Sequence, residues 1–279
     1  MVSAEAVLAP QISALDGMVW PAHRAVAHLP GSLPMGGVVP QTPVHAFEQT
    51  PTQLRLDPAN ALLQKPERQD IEMGGLLAFV IDPVITSEEA DALVAASERM
   101  GYRPEAPGIA TPPGMRMNKS VHWLADEGLM QVLYARIAHL LPQELDGARL
   151  FPALSHRLNM YRYDDQDVFN RHTDGDWPGY SLSDDRSEMQ EWSSHLRSAL
   201  TMLLYLNGPE DGVQGGNTRL LHRHGAVDVV PRKGAALFFR HGFGPGSVLH
   251  EGCRVSGPIP KYVARINVMY DWRAAHHAA

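Results

Sequence analysis

Two histidines and an aspartate are the residues best placed to do chemistry. His172-Thr173-Asp174 forms one cluster, and His250 follows about 78 positions later. Two imidazoles and one carboxylate on one face of a metal leave its other coordination positions open, which suits a non-haem Fe(II) that must bind O2 and a co-substrate together. A structural zinc site would fill all four positions with protein ligands, usually including cysteine. The chain has a single cysteine, Cys253. Histidine and aspartate at i and i+2 point to the same side of an extended strand, so the third ligand must come from a neighbouring strand. Taken alone, His-x-Asp says little. The chain has fourteen histidines, and most histidines in soluble proteins lie on the surface or are satisfied in the core.

The second half of the chain supplies context. From Val227 it reads Val-Asp-Val-Val-Pro-Arg-Lys-Gly-Ala-Ala-Leu-Phe-Phe. This predicts a strand, a turn at Arg232-Lys233-Gly234 and a second, mostly apolar strand. A Gly-rich loop over 242–246 precedes Ser247-Val-Leu-His250-Glu-Gly. The run Lys261-Tyr-Val-Ala-Arg265-Ile-Asn-Val-Met-Tyr270 then reads as a strand of β-branched and aromatic residues. Its period of two puts Lys261, Val263 and Arg265 on one face. A cation on an inward face is costly to desolvate without an anionic partner, and a dicarboxylate co-substrate would be such a partner.

From about Leu76 to Tyr270 the chain resembles the Fe(II)/2-oxoglutarate-dependent dioxygenases, in their prolyl 4-hydroxylase-like branch. The matching pieces fall in the family's order. Phe79-Val-Ile-Asp-Pro-Val-Ile-Thr86 and the helix after it resemble the opening strand and helix. Leu158-Asn-Met-Tyr-Arg-Tyr163 and Phe169-Asn-Arg-His172-Thr-Asp174 resemble the strand pair carrying the first two ligands. Leu200 to Asn207 and Gly215-Gly-Asn-Thr218 resemble a core strand and its turn, and His250-Glu-Gly with Lys261-Tyr-Val-Ala-Arg265 completes the set.

The resemblance implies His172, Asp174 and His250 as iron ligands. It implies Lys261 as the cation gripping the distal carboxylate of 2-oxoglutarate and Tyr163 as a hydrogen-bond partner of that co-substrate. Pro258-Ile-Pro260 sets Lys261 eleven residues after His250, where relatives more often have nine or ten, so Arg265 on the same face is a second candidate. Arginine binds carboxylate bidentately. The implied cofactors are Fe(II), 2-oxoglutarate and O2, with ascorbate as an accessory reductant. The implied reaction oxidises a substrate C–H bond while 2-oxoglutarate becomes succinate and CO2. Halogenating relatives have a small residue where this chain has Asp174, which points to hydroxylation.

The substrate is less legible. A polar stretch contains Arg116, Asn118 and Lys119, and Asp176-Trp177-Pro-Gly follows the ligand aspartate; both resemble a subset of the family. Substrate contact by Arg116, Asn118, Tyr161 or Trp177 stands beside a bland reading for each, a solvated loop or a core aromatic. The charged, aromatic stretch between Asp174 and Leu196 is expected to be a lid at a barrel mouth. A small-molecule hydroxylase is favoured, with an amino acid or a natural-product intermediate as substrate. A peptidyl, prolyl-type hydroxylase and a cupin-like metal-binding jelly roll without redox chemistry are the alternatives.

Composition agrees with a globular enzyme. The 279 residues are 44% apolar and carry a net charge of −7. That balance argues against nucleic-acid binding, which needs clustered cations. No apolar run approaches the roughly 20 residues of a membrane span, and no secretory signal is visible. One cysteine fits a reducing, cytoplasmic setting. Oligomeric state is not legible. Residues 1–68 hold nine of the 22 prolines and read as an irregular arm packed through Val19-Trp20, Phe47, Leu54 and Ala61-Leu62-Leu63. Residues 69–279 read as the oxygenase domain. Thr86 and Glu89 form a capping box for a helix ending at Gly101, and a second helix is expected from Glu127 to Leu141, before Pro142. Helices followed by strands predict a β-rich α+β fold, a double-stranded β-helix or jelly roll with helices packed on one sheet.

Overall fold

The computed structural model describes residues 15, 17–29, 42–56, 64–104 and 114–273. In chain order the elements are β1 (His23–Leu29), β2 (Thr42–Phe47), β3 (Glu67–Asp70), β4 (Ala78–Asp82), α1 (Ser87–Met100), β5 (Lys119–Leu124) and α2 (Glu127–Ile137). Next come β6 (Glu144–Leu145), β7 (Ala148–Leu154), β8 (Arg157–Tyr163), β9 (Phe169–His172), β10 (Tyr180–Leu182), β11 (Met189–Glu191) and β12 (Leu196–Tyr205). The last group is β13 (Gln214–Gly215), β14 (Thr218–His222), β15 (Gly225–Val229), β16 (Ala236–Arg240), β17 (Leu249–Gly252), β18 (Val255–Ser256) and β19 (Lys261–Asp271). No helix among the described residues is long and apolar enough to cross a membrane.

Two sheets form a double-stranded β-helix. The larger has the order β1-β2-β5-β8-β19-β12-β16-β4-β3, with β7 and β6 off the same path; the smaller runs β15-β14-β17-β9. The central strands of the large sheet are covered on both faces, and the period of two sorts their side chains. Leu158 and Met160, Met202 and Leu204, Phe238, and Tyr262, Ala264 and Ile266 face outward into the main core. Leu93, Leu129, Leu133 and Ile137, from α1 and α2, belong to that core. The alternate set, Tyr161, Tyr163, Leu203, Tyr205, Leu237, Phe239 and Val263, faces Phe169, Leu220, Val248 and Val255 from the region of the small sheet. The functional cavity opens on that second face.

Local chemistry accounts for the helix ends. The Thr86 hydroxyl accepts from the Glu89 amide while the Glu89 carboxylate accepts from the Thr86 amide. Gly101, at φ 84°, ends α1 in a conformation that side chains disfavour. The second helix is α-helical only to Ile137, and its last turn tightens to a 3-10 turn over Ala138–Leu140 before Pro142.

The N-terminal segment differs from the irregular arm expected. β1 pairs antiparallel with β2, β2 runs parallel to β5, and the expected boundary at residue 68 falls inside β3, which pairs with β4. Phe47 and Leu54 are buried anchors and Trp20 packs against the core, but Val19 is 91% exposed. The expected Ala61-Leu62-Leu63 anchor lies outside the described residues. Phe47 stands edge-on to Trp123 of β5, with ring centroids 5.9 Å apart, so it ties the first strands to the core. Phe47→Ala should lower the unfolding free energy by about 3–5 kcal/mol. Denaturant titration checks this; a loss under about 1 kcal/mol would mean the first strands contribute little to the fold.

Candidate active site

The register of β9 against β17 places His250 directly opposite His172. Asp174, two residues on, brings its Oδ1 to 3.8 Å from His172 Nε2 and its Oδ2 to 3.9 Å from His250 Nε2. The three ligating atoms lie within 4.8 Å of one another, a spacing that one cation can bridge. His172 Nδ1 lies 2.8 Å from its neighbour carbonyl Asn170 O, and His250 Nδ1 lies 3.1 Å from Val248 O. Each imidazole therefore donates through Nδ1 and presents a lone pair at Nε2. Phe169 stacks on His172 at 3.5 Å, and Phe239 lies 4.4 Å from His250. Burial, with the neighbouring His250, holds His172 down to about 3. Burial likewise lowers His250. Burial alone would raise Asp174, but the Arg265 charge overrides it and holds the carboxyl well below its usual range. All three groups thus stand in their metal-binding protonation states at neutral pH.

Asp174 is fixed by partners that the sequence did not reveal. Its Oδ2 accepts from Thr201 Oγ1 at 2.7 Å and from Arg265 Nε at 2.9 Å. Thr201 Oγ1 also lies 2.7 Å from Nδ1 of buried His241, whose Nε2 lies 2.8 Å from Ser198 Oγ. Ser198 Oγ in turn accepts from the Trp177 amide at 2.9 Å. One donor direction satisfies the whole chain: Trp177 N–H to Ser198, Ser198 O–H to Nε2, Nδ1–H to Thr201, Thr201 O–H to Asp174. A bulge in β12 between Ser198 and Leu200 lets Ser198 and Thr201, three apart, reach the same imidazole. His241 lies just past β16, and nothing in its neighbourhood separates it from the other thirteen histidines.

Lys261 stands at the other end of the inner face, directly opposite Tyr163 across the β8–β19 pair. It is 2% exposed. Its Nζ donates to Gly216 O at 2.5 Å and lies 5.2 and 5.5 Å from the rings of Tyr163 and Tyr205. No carboxylate pairs with it among the described residues. Burial pulls its pKa down to about 8. The Gly215-Gly216 turn permits this approach. Both residues have positive φ, and a Cβ on Gly216 would fall 3.0 Å from Lys261 Cδ. Arg265, the other candidate, is already committed to Asp174.

A cavity of about 260 Å³ joins these groups. It reaches the triad, Lys261, Tyr163, Tyr161, Arg116 and Trp177, but Asn118 does not line it. Asn118 is buried behind, where its Oδ1 accepts from Arg116 Nε at 3.1 Å. Arg157, His122 and Asn159 also line the cavity and escaped the sequence reading. The alternation Arg157-x-Asn159-x-Tyr161-x-Tyr163 was the available signal, since it puts all four on one face of β8. The stretch expected to be a lid is pinned at several points. Tyr180–Leu182 pairs with Met189–Glu191, Arg186 is held by Asp126 and the Phe47 carbonyl, and Trp177 is bonded to Ser198 through both its amide and its carbonyl.

Residues 158–269, from β8 through β19, match the 2OG-Fe(II) oxygenase superfamily. No curated protein matches the sequence. Among solved structures, a prolyl hydroxylase from Trichoplax adhaerens in complex with a hypoxia inducible factor peptide fragment is 16% identical, with TM-score 0.51 over 72% of this chain and 87% of that one. The viral collagen prolyl hydroxylase of Paramecium Bursaria Chlorella virus-1 is 19% identical, with TM-score 0.48 over 70% and 97%. HygX from Streptomyces hygroscopicus, with nickel and 2-oxoglutarate bound, is 13% identical, with TM-score 0.41 over 70% and 82%. The segment over residues 158–269 is similar to the 2OG-Fe(II) oxygenase superfamily, and the Trichoplax structure shares the fold of this chain. His172, Asp174 and His250, which could hold a metal ion, all lie inside that matched segment.

Two expected outcomes follow from the geometry. Thr201→Val removes a hydrogen bond that orients Asp174, so Mn(II) affinity measured by fluorescence titration should fall about 10- to 100-fold; unchanged affinity would show that Thr201 does not orient the carboxylate. The second concerns pH. The charged lysine is the form that attracts a carboxylate, and burial lowers its pKa, so the free enzyme loses that form as pH rises through about 8. Apparent 2-oxoglutarate affinity should weaken about tenfold between pH 7 and 9. Lys261→Arg should flatten that profile, and an equally steep profile in the arginine variant would assign the titration elsewhere.

Proposed function

We propose that this oxygenase hydroxylates an unactivated C–H bond of a small molecule, with Fe(II) held by His172, Asp174 and His250 and 2-oxoglutarate anchored by Lys261. The observation that carries this reading is the buried, unpaired Lys261 at one end of the cavity that contains the triad. Desolvating a cation is costly unless an anion arrives, and the distal carboxylate of 2-oxoglutarate is such an anion. When bound, Fe(II) supplies O2 activation, coupled to conversion of 2-oxoglutarate into succinate and CO2.

The chain's own residues do the rest. The Nε2 lone pairs of His172 and His250 and the carboxylate of Asp174 would hold the metal, and a three-ligand set of this kind would leave positions for co-substrate and O2. Thr201 and Arg265 keep Asp174 ionised and aimed. Lys261 fixes one end of the co-substrate, with Tyr163 beside it. Tyr161, Val263 and Leu203 present apolar surface that limits water near the reacting C–H. A cavity of about 260 Å³ that must also hold 2-oxoglutarate favours a compact substrate, at the small end of ligand pockets. Cys253 is unpaired, which supports a cytoplasmic setting.

The purified protein given Fe(II), 2-oxoglutarate, ascorbate and O2 should form succinate. His250→Ala should reduce that formation at least about 100-fold with its melting temperature within a few degrees of wild type. Wild-type succinate formation by His250→Ala would overturn the ligand assignment. A panel of metabolites and proline-containing peptides in the same assay separates small-molecule from peptidyl substrates.

A further inference from the structure

The inner face carries more positive charge than metal and co-substrate can use. Arg265 is matched by Asp174, and a bound dianion would be matched by a divalent metal. Lys261, Arg116 and Arg157 remain, and among the described residues Asp174 is the one carboxylate lining the cavity. Arg157 is 8% exposed. Its Nε has no partner, its Nη2 lies 3.3 Å from His122 Nδ1, its guanidinium also meets the Tyr180 hydroxyl, and no carboxylate pairs with it among the described residues. Its guanidinium lies 5.7 Å from the ring of Trp177 and 5.5 Å from that of Tyr180. Arg116 lies 4.6 Å from Tyr161 and 4.7 Å from Phe169, with its Nη2 also unpartnered. Arg265 Nη2 completes a set of three buried, unpartnered N–H groups on this one cavity, while His122 donates through Nδ1 to Asn159 Oδ1 at 2.7 Å.

Strand register gives these groups an order. Tyr163 is level with Lys261, Tyr161 with Val263, and Asn159 with Arg265 and His122. Arg157 lies one inward position further along β8. At a rise of about 3.3 Å per residue it sits roughly 7 Å beyond the level of Arg265 and roughly 20 Å from that of Lys261. It is therefore out of reach of a co-substrate anchored at Lys261, and it faces the far side of the triad.

We propose that Arg157, with Arg116, binds a carboxylate of the substrate, so that the hydroxylated molecule is a small carboxylic acid. This rests on the oxygenase reading above. An arginine wedged between two aromatic rings has its planar fork pre-set for carboxylate. Buried donors without partners are costly and rarely left so, and a substrate carboxylate would satisfy them. Orientation follows: the acid end lies against Trp177, Tyr180 and Arg157, and the C–H to be oxidised lies a few ångströms back toward the triad.

The test uses the Fe(II)-loaded enzyme with 2-oxoglutarate and a panel of amino acids, hydroxy acids and short fatty acids, each paired with its primary amide. The readout is stimulation of succinate formation above the substrate-free rate. At least one acid should stimulate, with its amide roughly 10- to 100-fold less effective. Arg157→Met should erase the acid-over-amide preference and still bind 2-oxoglutarate with a Kd within about threefold of wild type. It should also melt no lower than wild type, because it removes an uncompensated buried charge. Equal action of acids and amides, silence of every acid, an unchanged preference in Arg157→Met, or a melting temperature several degrees lower would each overturn the proposal, the last by making Arg157 a structural brace. Absence of succinate from the wild type under all conditions would instead strike the oxygenase reading itself.

Discussion

The pairing of β9 with β17, His250 opposite His172, is the contact on which the site depends. A slip of one residue would turn either imidazole to the opposite face of the small sheet, and Asp174, which follows from β9, would lose both neighbours. The register is held by packing. Phe169 and Phe239 flank the two imidazoles, and Gly252, level with Phe169, lets the Tyr163 ring approach its backbone. A Cβ there would fall 3.2 Å from the Tyr163 hydroxyl.

The large sheet turns this local pairing into a reaction vessel. Its central strands bury both faces, and alternation sends apolar side chains outward beneath α1 and α2 while the inner face keeps the functional polar groups. A polar inner face is affordable only where each charge is matched or awaits a ligand. Arg265 meets Asp174, His241 is satisfied on both nitrogens, and Lys261, Arg116 and Arg157 are left for anions. The chain of bonds from the Trp177 amide through Ser198, His241 and Thr201 also ties the segment over the cavity to a proposed metal ligand. That segment is anchored at Asp126, Phe47 and Ser198, so a change at Trp177 is felt at Asp174 through the same chain of bonds.

Much of this was legible in the sequence. The capping box at Thr86 and Glu89, the alternation of the core strands and the inward Lys261 each announce themselves through residue type and spacing, whereas the His-x-Asp pair gained meaning only from the family resemblance of the segments around it. Other features were hidden for physical reasons. β1 and β2 lie in a proline-rich stretch, and the parallel pairing of β2 with β5 is a long-range contact with no local signature. Ser198 and Thr201 point together only because of a bulge. His122 sits in Lys-Ser-Val-His-Trp-Leu, a strand buried on both faces, where alternation between polar and apolar residues disappears. Arg157 had a readable pattern, the same face as Tyr161 and Tyr163. Like Lys261, it is an inward cation without an anion.

The central claim is that the triad and Lys261 serve one ligand, seated on a metal at one end and on the lysine at the other. Anaerobic calorimetric titration of 2-oxoglutarate into metal-free and Mn(II)-loaded protein tests it directly, because two groups sharing a ligand must be thermodynamically linked. The account predicts binding at least about tenfold tighter with metal present, and an equal tightening of Mn(II) when 2-oxoglutarate is bound first. Equal 2-oxoglutarate affinity with and without metal would contradict it.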